Sequence, residues 1–170
     1  MSKAIDPVQE GLYAADLHAW SEAQARALRD GRFASLDHEH LREVLDRLGQ
    51  RERREVKGRL GVILTGLLRW SEQVDLRCHG WAATLDIQRM HVARLLRDNP
   101  SLRPALPTLV AGIYSAAKAR AVLESALFDD SFSDSCPFSE EEILLEGFFP
   151  DPYGDDAIRG AGWWKRQVLP

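Results

Sequence analysis

The most regular pattern of apolar and polar positions lies in residues 51–74, where apolar side chains recur every three or four residues. The stripe consists of Val56, Leu60, Ile63, Leu67, Trp70 and Val74. This spacing is that of one face of an α-helix. A second face, formed by Gly58, Gly61 and Thr65, carries almost no side chain. We therefore expect a long helix whose bare face is approached closely by another helix, either from the same chain or from a second copy.

Two helices are predicted before this long one. Asp16 can cap the first by accepting backbone N–H groups, and Gly31 can end it in the left-handed conformation. The second helix covers residues 37–48. Its apolar face comprises Leu41, Val44, Leu45 and Leu48. Gly49 follows directly, and because glycine costs only about 1 kcal/mol inside a helix, the pattern leaves open whether the chain breaks there.

Three more helices are predicted after the long one. The first covers residues 81–98 and stops at Asn99, because the residue before Pro100 is pushed out of the helical conformation. The second extends to about residues 125–127. A short last helix is indicated by Ser139-x-x-Glu, in which the two side chains can each accept a backbone N–H.

This arrangement of segments predicts an all-α fold. We expect an antiparallel helical bundle of about five helices, with a short C-terminal helix and a tail. Residues 1–11 are predicted to be a loose N-terminal segment, residues 12–150 the helical domain and residues 151–170 the tail. The sequence contains no strand-like alternation of any length and no repeat at the spacing of a solenoid.

Composition and charge narrow the function classes. Hydrophobic residues make up 45% and charged residues 28% of the chain, as in an ordinary globular protein. The net charge of −4 argues against a general nucleic-acid binder, whose surface is usually basic. Two cysteines, no signal peptide and no long apolar run predict a cytoplasmic protein with reduced thiols and no membrane contact.

The side chains that could carry chemistry do not form a recognisable catalytic motif. His38 and His40 are two positions apart, so they point in different directions on a helix and are poor joint metal ligands. Cys78 and His79 are adjacent, which seldom gives the geometry of a nucleophile and its base. We therefore predict no catalytic residue, no metal and no cofactor. A metal-binding bundle remains an alternative, with Asp37 and His40 at a suitable spacing.

Two segments suggest contacts with other molecules. The basic residues of 51–59 could face nucleic acid, but Glu52 and Glu55 interrupt them, so a solvated helix face is favoured. Trp163 and Trp164 are unusual in a tail, because two tryptophans bury a large apolar surface. Either the tail docks on the bundle, or these tryptophans form an interaction site for a partner.

The order of these segments resembles the bacterial family catalogued as Domain of Unknown Function 29. The resemblance extends from about Leu12 to Pro150. The matching residues are Leu12-Tyr13-Ala14-Ala15-Asp16 with Trp20, Gly31-Arg32-Phe33 with Leu36-Asp37, Glu43 with Leu48-Gly49, Arg59-Leu60, Leu67-Leu68-Arg69-Trp70, Trp81 with Gln88-Arg89, Pro100-Ser101-Leu102-Arg103, Tyr114 with Ala117, and Cys136-Pro137-Phe138 with Ile143-Leu144. The resemblance implies an all-α fold, a bacterial origin and no assigned activity.

The chain departs from that family pattern at two positions. Val44 stands where the pattern commonly has a second glutamate, and Gly66 stands where it commonly has a histidine. The polar positions that do match form a candidate polar site. They are Asp16, Glu43, Arg89 and Tyr114. A cap, a salt bridge and buried hydrogen bonds are the structural roles expected of such residues.

Two functions remain in view. The first is a non-catalytic helical protein-interaction module, with a protein partner or self-association. The alternative is a degenerate enzyme or metal-binding helical bundle that uses Asp16, Glu43 and Arg89. Nucleic-acid binding through residues 51–59 is the weakest hypothesis.

Overall fold

The structure is a computed structural model that describes residues 7–167, with the side chains of residues 11–167. Residues 1–6 of the predicted loose segment and residues 168–170 of the predicted tail lie outside the described residues. The described chain forms α-helices and short 3₁₀ helices without a β-strand, which confirms the all-α prediction. The α-helices are α1 (Pro7–Ala15), α2 (Leu17–Arg29), α3 (His38–Glu72), α4 (His79–Asp98), α5 (Leu106–Ser125), α6 (Glu140–Leu144) and α7 (Asp155–Arg159).

The chain divides into two compact units, Met1–Arg51 and Glu52–Pro170. Unit 1 contains α1, α2 and the first part of α3. Unit 2 contains the second part of α3 and all the later helices. The helical domain predicted over residues 12–150 therefore includes parts of both units.

The helix boundaries of unit 1 follow from local chemistry. α1 begins at Pro7, within the segment expected to be loose, because the fixed φ of proline suits the first position of a helix. Asp16 caps α2 as predicted, and its Oδ1 accepts the N–H of Ala19 at 2.9 Å. After α2 the chain turns at Gly31, whose φ of +69° is the left-handed conformation that favours glycine.

Unit 1 has a small core in which polar side chains are prominent. Among the side chains of unit 1 that the structure describes, the buried apolar ones are Trp20 and Ala27 of α2, and the buried polar ones are Gln24 and Asp37. The buried polar groups satisfy one another, since Gln24 Oε1 accepts the backbone N–H of Asp37 at 2.9 Å. Unit 1 therefore relies on hydrogen bonds as well as on apolar burial.

α3 continues through Gly49 without a break and is 35 residues long. The chain therefore does not break at Gly49, and the segments predicted as 37–48 and 51–74 form one helix, except for Asp37 before its start and residues 73–74 after its end. The helix ends at Glu72, and Val74–Leu76 form a 3₁₀ turn that leads to α4. Among the described residues, no helix combines the length and the apolar character needed to cross a membrane.

The core of unit 2 forms around the second part of α3. The side chains of Val56, Leu60, Ile63 and Leu67 are 0% exposed there. Residues from every later α-helix except α7, together with the C-terminal segment, join this core, including Leu85, Val92, Leu96, Leu109, Val110, Ala117, Ile143, Trp163 and Trp164. Each fully buried aliphatic side chain contributes about 1.5–3 kcal/mol, so the predicted stripe is a substantial source of apolar burial in this unit.

α5 covers the bare face of α3 at Gly61 and Thr65. A Cβ built on Gly61 would lie 3.0 Å from Cγ1 of Ile113, so glycine permits this close approach. One turn later, Thr65 Oγ1 donates a hydrogen bond of 3.2 Å to the carbonyl oxygen of Ala117. Gly58 has open space where its side chain would be. A helix of the same chain therefore occupies the strip at Gly61 and Thr65.

The capping box predicted for the last helix is confirmed in α6. Ser139 Oγ accepts the N–H of Glu142 at 3.2 Å, and Glu142 Oε2 accepts the N–H of Ser139 at 2.8 Å. A further short helix, α7, starts after Gly154, whose φ is +71°. The bundle prediction of about five helices did not include α7 or α1.

Trp163 and Trp164 of the predicted tail are both only 7% exposed. The ring of Trp164 lies 5.1 Å from that of Trp70 on α3 and 5.1 Å from that of Phe149, both edge to face. An interaction role for these tryptophans would require the segment to leave the core, and that role stays a prediction.

Candidate functional site

The most connected polar group of unit 1 surrounds the carboxylate of Asp37, which is 1% exposed. Asp37 lies directly before α3 and caps its first turn, where Oδ1 accepts the N–H of His40 at 3.2 Å. Oδ2 accepts the indole N–H of Trp20 at 3.1 Å and lies 2.7 Å from Nδ1 of His40. One carboxylate thus joins α2 to the start of α3.

The hydrogen bonds outweigh the effect of burial on the acidity of Asp37. Burial alone would raise the pKa of this carboxyl group, but hydrogen bonds from His40 and Trp20 favour its charged form. The pKa of Asp37 is therefore held below its usual value. The ionised carboxylate of Asp37 therefore has a structural role, as the hydrogen-bond acceptor that joins α2 to α3.

His40 also contacts the surface of unit 1. Its ring stacks on Tyr13 with the centroids 3.9 Å apart. The hydroxyl of Tyr13 donates a hydrogen bond of 3.2 Å to Glu43 and also contacts the guanidinium of Arg47. The spacing of Asp37 and His40 that suggested a metal pair is thus used for a hydrogen bond between the two. Among the described residues, no group of three or more histidine, cysteine or acidic side chains could hold a metal ion.

Two members of the predicted polar site, Asp16 and Glu43, lie in unit 1. Asp16 is exposed and caps α2. Glu43 is exposed on α3, where Oε1 pairs with Arg47 at 2.5 Å and Oε2 accepts from Tyr13. Their contacts are those of a helix cap and of a surface ion pair. A chemical role for either residue stays a prediction.

Arg89, a third predicted residue, is buried in unit 2 at 2% exposure. Its Nε donates to the carbonyl oxygen of Ile143 at 3.0 Å, and its Nη2 donates to that of Phe148 at 2.7 Å. Its Nη1 pairs with Asp86 at 2.7 Å on the same helix. The planar guanidinium thereby fastens α6 and the segment after it to α4.

Tyr114, the fourth predicted residue, lies on α5 and is 5% exposed. Its hydroxyl donates a hydrogen bond of 2.6 Å to the carbonyl oxygen of Ser133. Burial, together with the nearby Cys136, raises the pKa of this phenol. A neutral phenol is the form that donates the bond, so Tyr114 holds the segment between α5 and α6 in place.

A cavity of about 480 Å³ opens in unit 2 between α3, α4 and α5, and we call it the Arg69 cavity. Its lining combines charged, aromatic and small residues. They are Val62, Thr65, Gly66, Arg69, Leu76, Cys78, Gly80, Trp81, Thr84, Leu85, Arg120 and Glu124. None of the four predicted polar residues lines it.

The charged wall of the Arg69 cavity is held by one carboxylate between two arginines. Glu124 Oε2 lies 2.6 Å from Nη1 of Arg69, and its Oε1 lies 2.5 Å from Nε of Arg120. These hydrogen bonds lower the pKa of Glu124, so it stays ionised. The guanidinium of Arg69 also lies over the Trp81 ring, with Cζ 5.0 Å from the ring centroid.

The Arg69 cavity was not foreseen because its residues come from three helices. Arg69, Trp81 and Glu124 are each unremarkable in their own helix pattern, and only the packing of α3, α4 and α5 brings them together. One local signal existed at Gly66, the departure from the family pattern, which lies in the cavity wall.

Comparison with known proteins gives one match. A family model described as "Domain of unknown function DUF29" matches residues 12–149, which agrees with the resemblance found in the sequence. No curated protein and no solved structure matches the chain.

Proposed function

This chain belongs to the DUF29 family, and we propose that it is a non-catalytic helical protein-interaction module that self-associates through the first part of α3. The family description assigns no function. The proposal therefore rests on the surface of unit 1.

The observation that carries the proposal is a partly uncovered apolar stripe at the start of α3. Leu41, Val44, Leu45 and Leu48 have the i, i+3, i+4, i+7 spacing of one helix face. Leu45 is 64% exposed and Leu48 is 57% exposed. On the same helix, a set with the same spacing is 0% exposed, namely Leu60, Ile63, Leu64 and Leu67. Apolar side chains that recur on one face without cover are typical of a surface that binds another protein.

A second copy of the chain is the partner that the charges around the stripe favour. Between positions 39 and 46 the helix carries three carboxylates, Glu39, Glu43 and Asp46, and one arginine, Arg42. Positions 47–51 carry two arginines and no carboxylate. Two copies aligned in opposite directions would place the acidic part of one helix beside the basic part of the other.

The contacts of the candidate polar residues support this proposal over the alternative of a degenerate enzyme or metal-binding bundle. Asp16 caps a helix, Glu43 pairs with Arg47, and the three guanidinium nitrogens of Arg89 are engaged by Ile143, Phe148 and Asp86. A catalytic group needs access to a substrate, and the burial of Arg89 removes that access.

We place the module in the bacterial cytoplasm as part of the same proposal. Both Cys78 and Cys136 are free thiols, which suits a reducing compartment.

Light scattering after size-exclusion chromatography tests the proposal over a dilution series. We expect the wild-type chain to have the mass of a dimer at high concentration. The double variant Leu45→Glu with Leu48→Glu should be a monomer, since each buried leucine contributes about 1.5–3 kcal/mol, or about tenfold or more in Kd.

Leu123→Glu is the matched control, because Leu123 is 84% exposed on α5, outside unit 1. This variant should remain a dimer. All three proteins should have the same circular dichroism spectrum. A wild-type monomer at the highest concentration, or equal dissociation of the Leu123 variant, would contradict the proposal.

A further inference from the structure

We propose that the Arg69 cavity binds a small organic carboxylate with a flat apolar body. This ligand site is separate from the self-association surface and does not depend on it. About 480 Å³ is within the range of cavities that enclose small ligands. The walls combine the two features that such a ligand requires, a cationic group and an apolar surface.

The cationic wall of the cavity has guanidinium N–H groups that are available to a ligand. Arg69 uses Nε for Gln73 at 3.0 Å and Nη1 for Glu124 at 2.6 Å. Arg120 uses Nε for Glu124 at 2.5 Å. Within the described part of the chain, Nη2 of Arg69 and both terminal nitrogens of Arg120 make no hydrogen bond. The two guanidinium groups outnumber the one carboxylate, so the wall keeps a net positive charge that suits an anion.

The start of α4 adds to the same wall. Cys78 is the N-cap residue, and its side chain makes no capping hydrogen bond. The first backbone bond of this helix runs from Ala82 N to Cys78 O, so the N–H groups of the preceding turn receive no cap from a side chain. Cys78, Gly80 and Trp81 from this turn line the cavity. The positive end of a 20-residue helix therefore supports the two arginines.

The apolar wall is formed by the indole of Trp81 with Leu85 and Val62. Gly66 lies among them without a side chain. A Cβ built on Gly66 would be 2.5 Å from Cδ2 of Leu85 and 3.5 Å from Nε1 of Trp81. Because Gly66 has no side chain, Leu85 packs directly against α3 there and forms a continuous apolar wall with Trp81. A planar apolar group can lie against this wall while its carboxylate reaches Arg69.

A second cavity of about 480 Å³ in unit 2 provides an internal comparison. Its charged lining residues are Glu72, Glu142 and Asp151, and no arginine or lysine lines it. That cavity would repel an anion. The charge of the Arg69 cavity is therefore a specific property and not a general feature of the surface of this acidic chain.

Phenylacetate is the probe, and its binding can be followed by saturation-transfer NMR and by tryptophan fluorescence on the full chain. Acetate isolates the carboxylate, phenylacetamide isolates the apolar body, and inorganic phosphate is an anion without such a body. We expect saturable binding of phenylacetate and at least about tenfold weaker binding of the other three, because each lacks one of the two interactions.

Arg69→Gln should weaken phenylacetate binding by about tenfold or more, since it removes a charge-assisted contact. Arg120→Gln is an independent test if the first variant folds poorly, because the Arg120 side chain is 60% exposed and, among the described residues, bonds only to Glu124. Arg94→Gln is the control, an exposed arginine of α4 that does not line the cavity. Absence of saturation, equal binding of phenylacetamide, acetate or phosphate, or unchanged affinity in both cavity variants would overturn the proposal.

Discussion

The indole Nε1 of Trp20 donates a hydrogen bond of 3.1 Å to the carboxylate of Asp37, and this bond joins α2 to the start of α3 inside the small core of unit 1. Asp37→Ala should therefore destabilise unit 1 by about 1–3 kcal/mol, because a buried donor loses its partner. Amide hydrogen exchange in α2 measures this change directly. Asp46→Ala removes an exposed carboxylate of α3 and should change the same exchange rates by less than about 0.5 kcal/mol.

The lowered pKa of Asp37 predicts an acid-sensitive unit 1. A carboxyl group whose pKa is lower in the folded state stabilises that state at pH above its unfolded pKa, about 3.9. This stabilisation is lost as the pH falls through the lower, folded pKa. Exchange protection of α2, measured from pH 6 downwards, should decrease in this acid range. Asp37→Asn should remove the part of the decrease that this carboxyl group causes, and an identical profile in both proteins would contradict the assignment.

Arg89 is predicted to be a structural residue of unit 2. Arg89→Met should lower the free energy of unfolding by about 3 kcal/mol or more, because the backbone carbonyls of Ile143 and Phe148 and the carboxylate of Asp86 lose their donor. Urea denaturation measures the loss. Arg94→Met on the same helix is exposed and should change stability by less than about 0.5 kcal/mol. Equal effects of the two changes would contradict this structural role of Arg89.

Burial of Trp164 against Trp70 predicts that the C-terminal segment stabilises unit 2. Trp164→Ala should lower the free energy of unfolding by about 3–5 kcal/mol, as expected for a large aromatic side chain removed from a core. Ile158→Ala, at a position that is 79% exposed in α7, is the matched control and should have little effect. Truncation after Pro150 should lower Tm for the same reason. An unchanged Tm would show that the segment does not dock in solution.

Two glycines of α3 should respond to alanine in opposite ways. At Gly66 a Cβ would lie 2.5 Å from Cδ2 of the buried Leu85, so Gly66→Ala should cost about 1–3 kcal/mol through overpacking. At Gly58 no described atom lies within 4 Å of the new Cβ, so Gly58→Ala should stabilise the helix by up to about 1 kcal/mol. Thermal denaturation of the two variants gives the comparison, and stabilisation by both would refute the close packing at Gly66.

The candidate polar site shows that a sequence can identify a polar position without identifying its partner. The residues Asp16, Glu43, Arg89 and Tyr114 were selected as matched polar positions, and each has a structural contact in the fold. A motif match identifies a residue type at a position, but the partner of that residue depends on which distant segment packs against it. Arg89, for example, binds a carbonyl oxygen 54 positions away.

The sequence by itself determined the helical class, the stripe of α3, the cap at Asp16 and the capping box at Ser139, because periodicity and capping depend on residues within a few positions of one another. The sequence did not decide whether the helix breaks at Gly49, because the free-energy cost of a glycine in a helix is small enough for packing to offset it. Only the tertiary structure buried Trp163 and Trp164, left Leu45 and Leu48 uncovered, and placed Arg69, Trp81 and Glu124 around one cavity. Those outcomes depend on which helix faces meet, and many distant contacts decide that together.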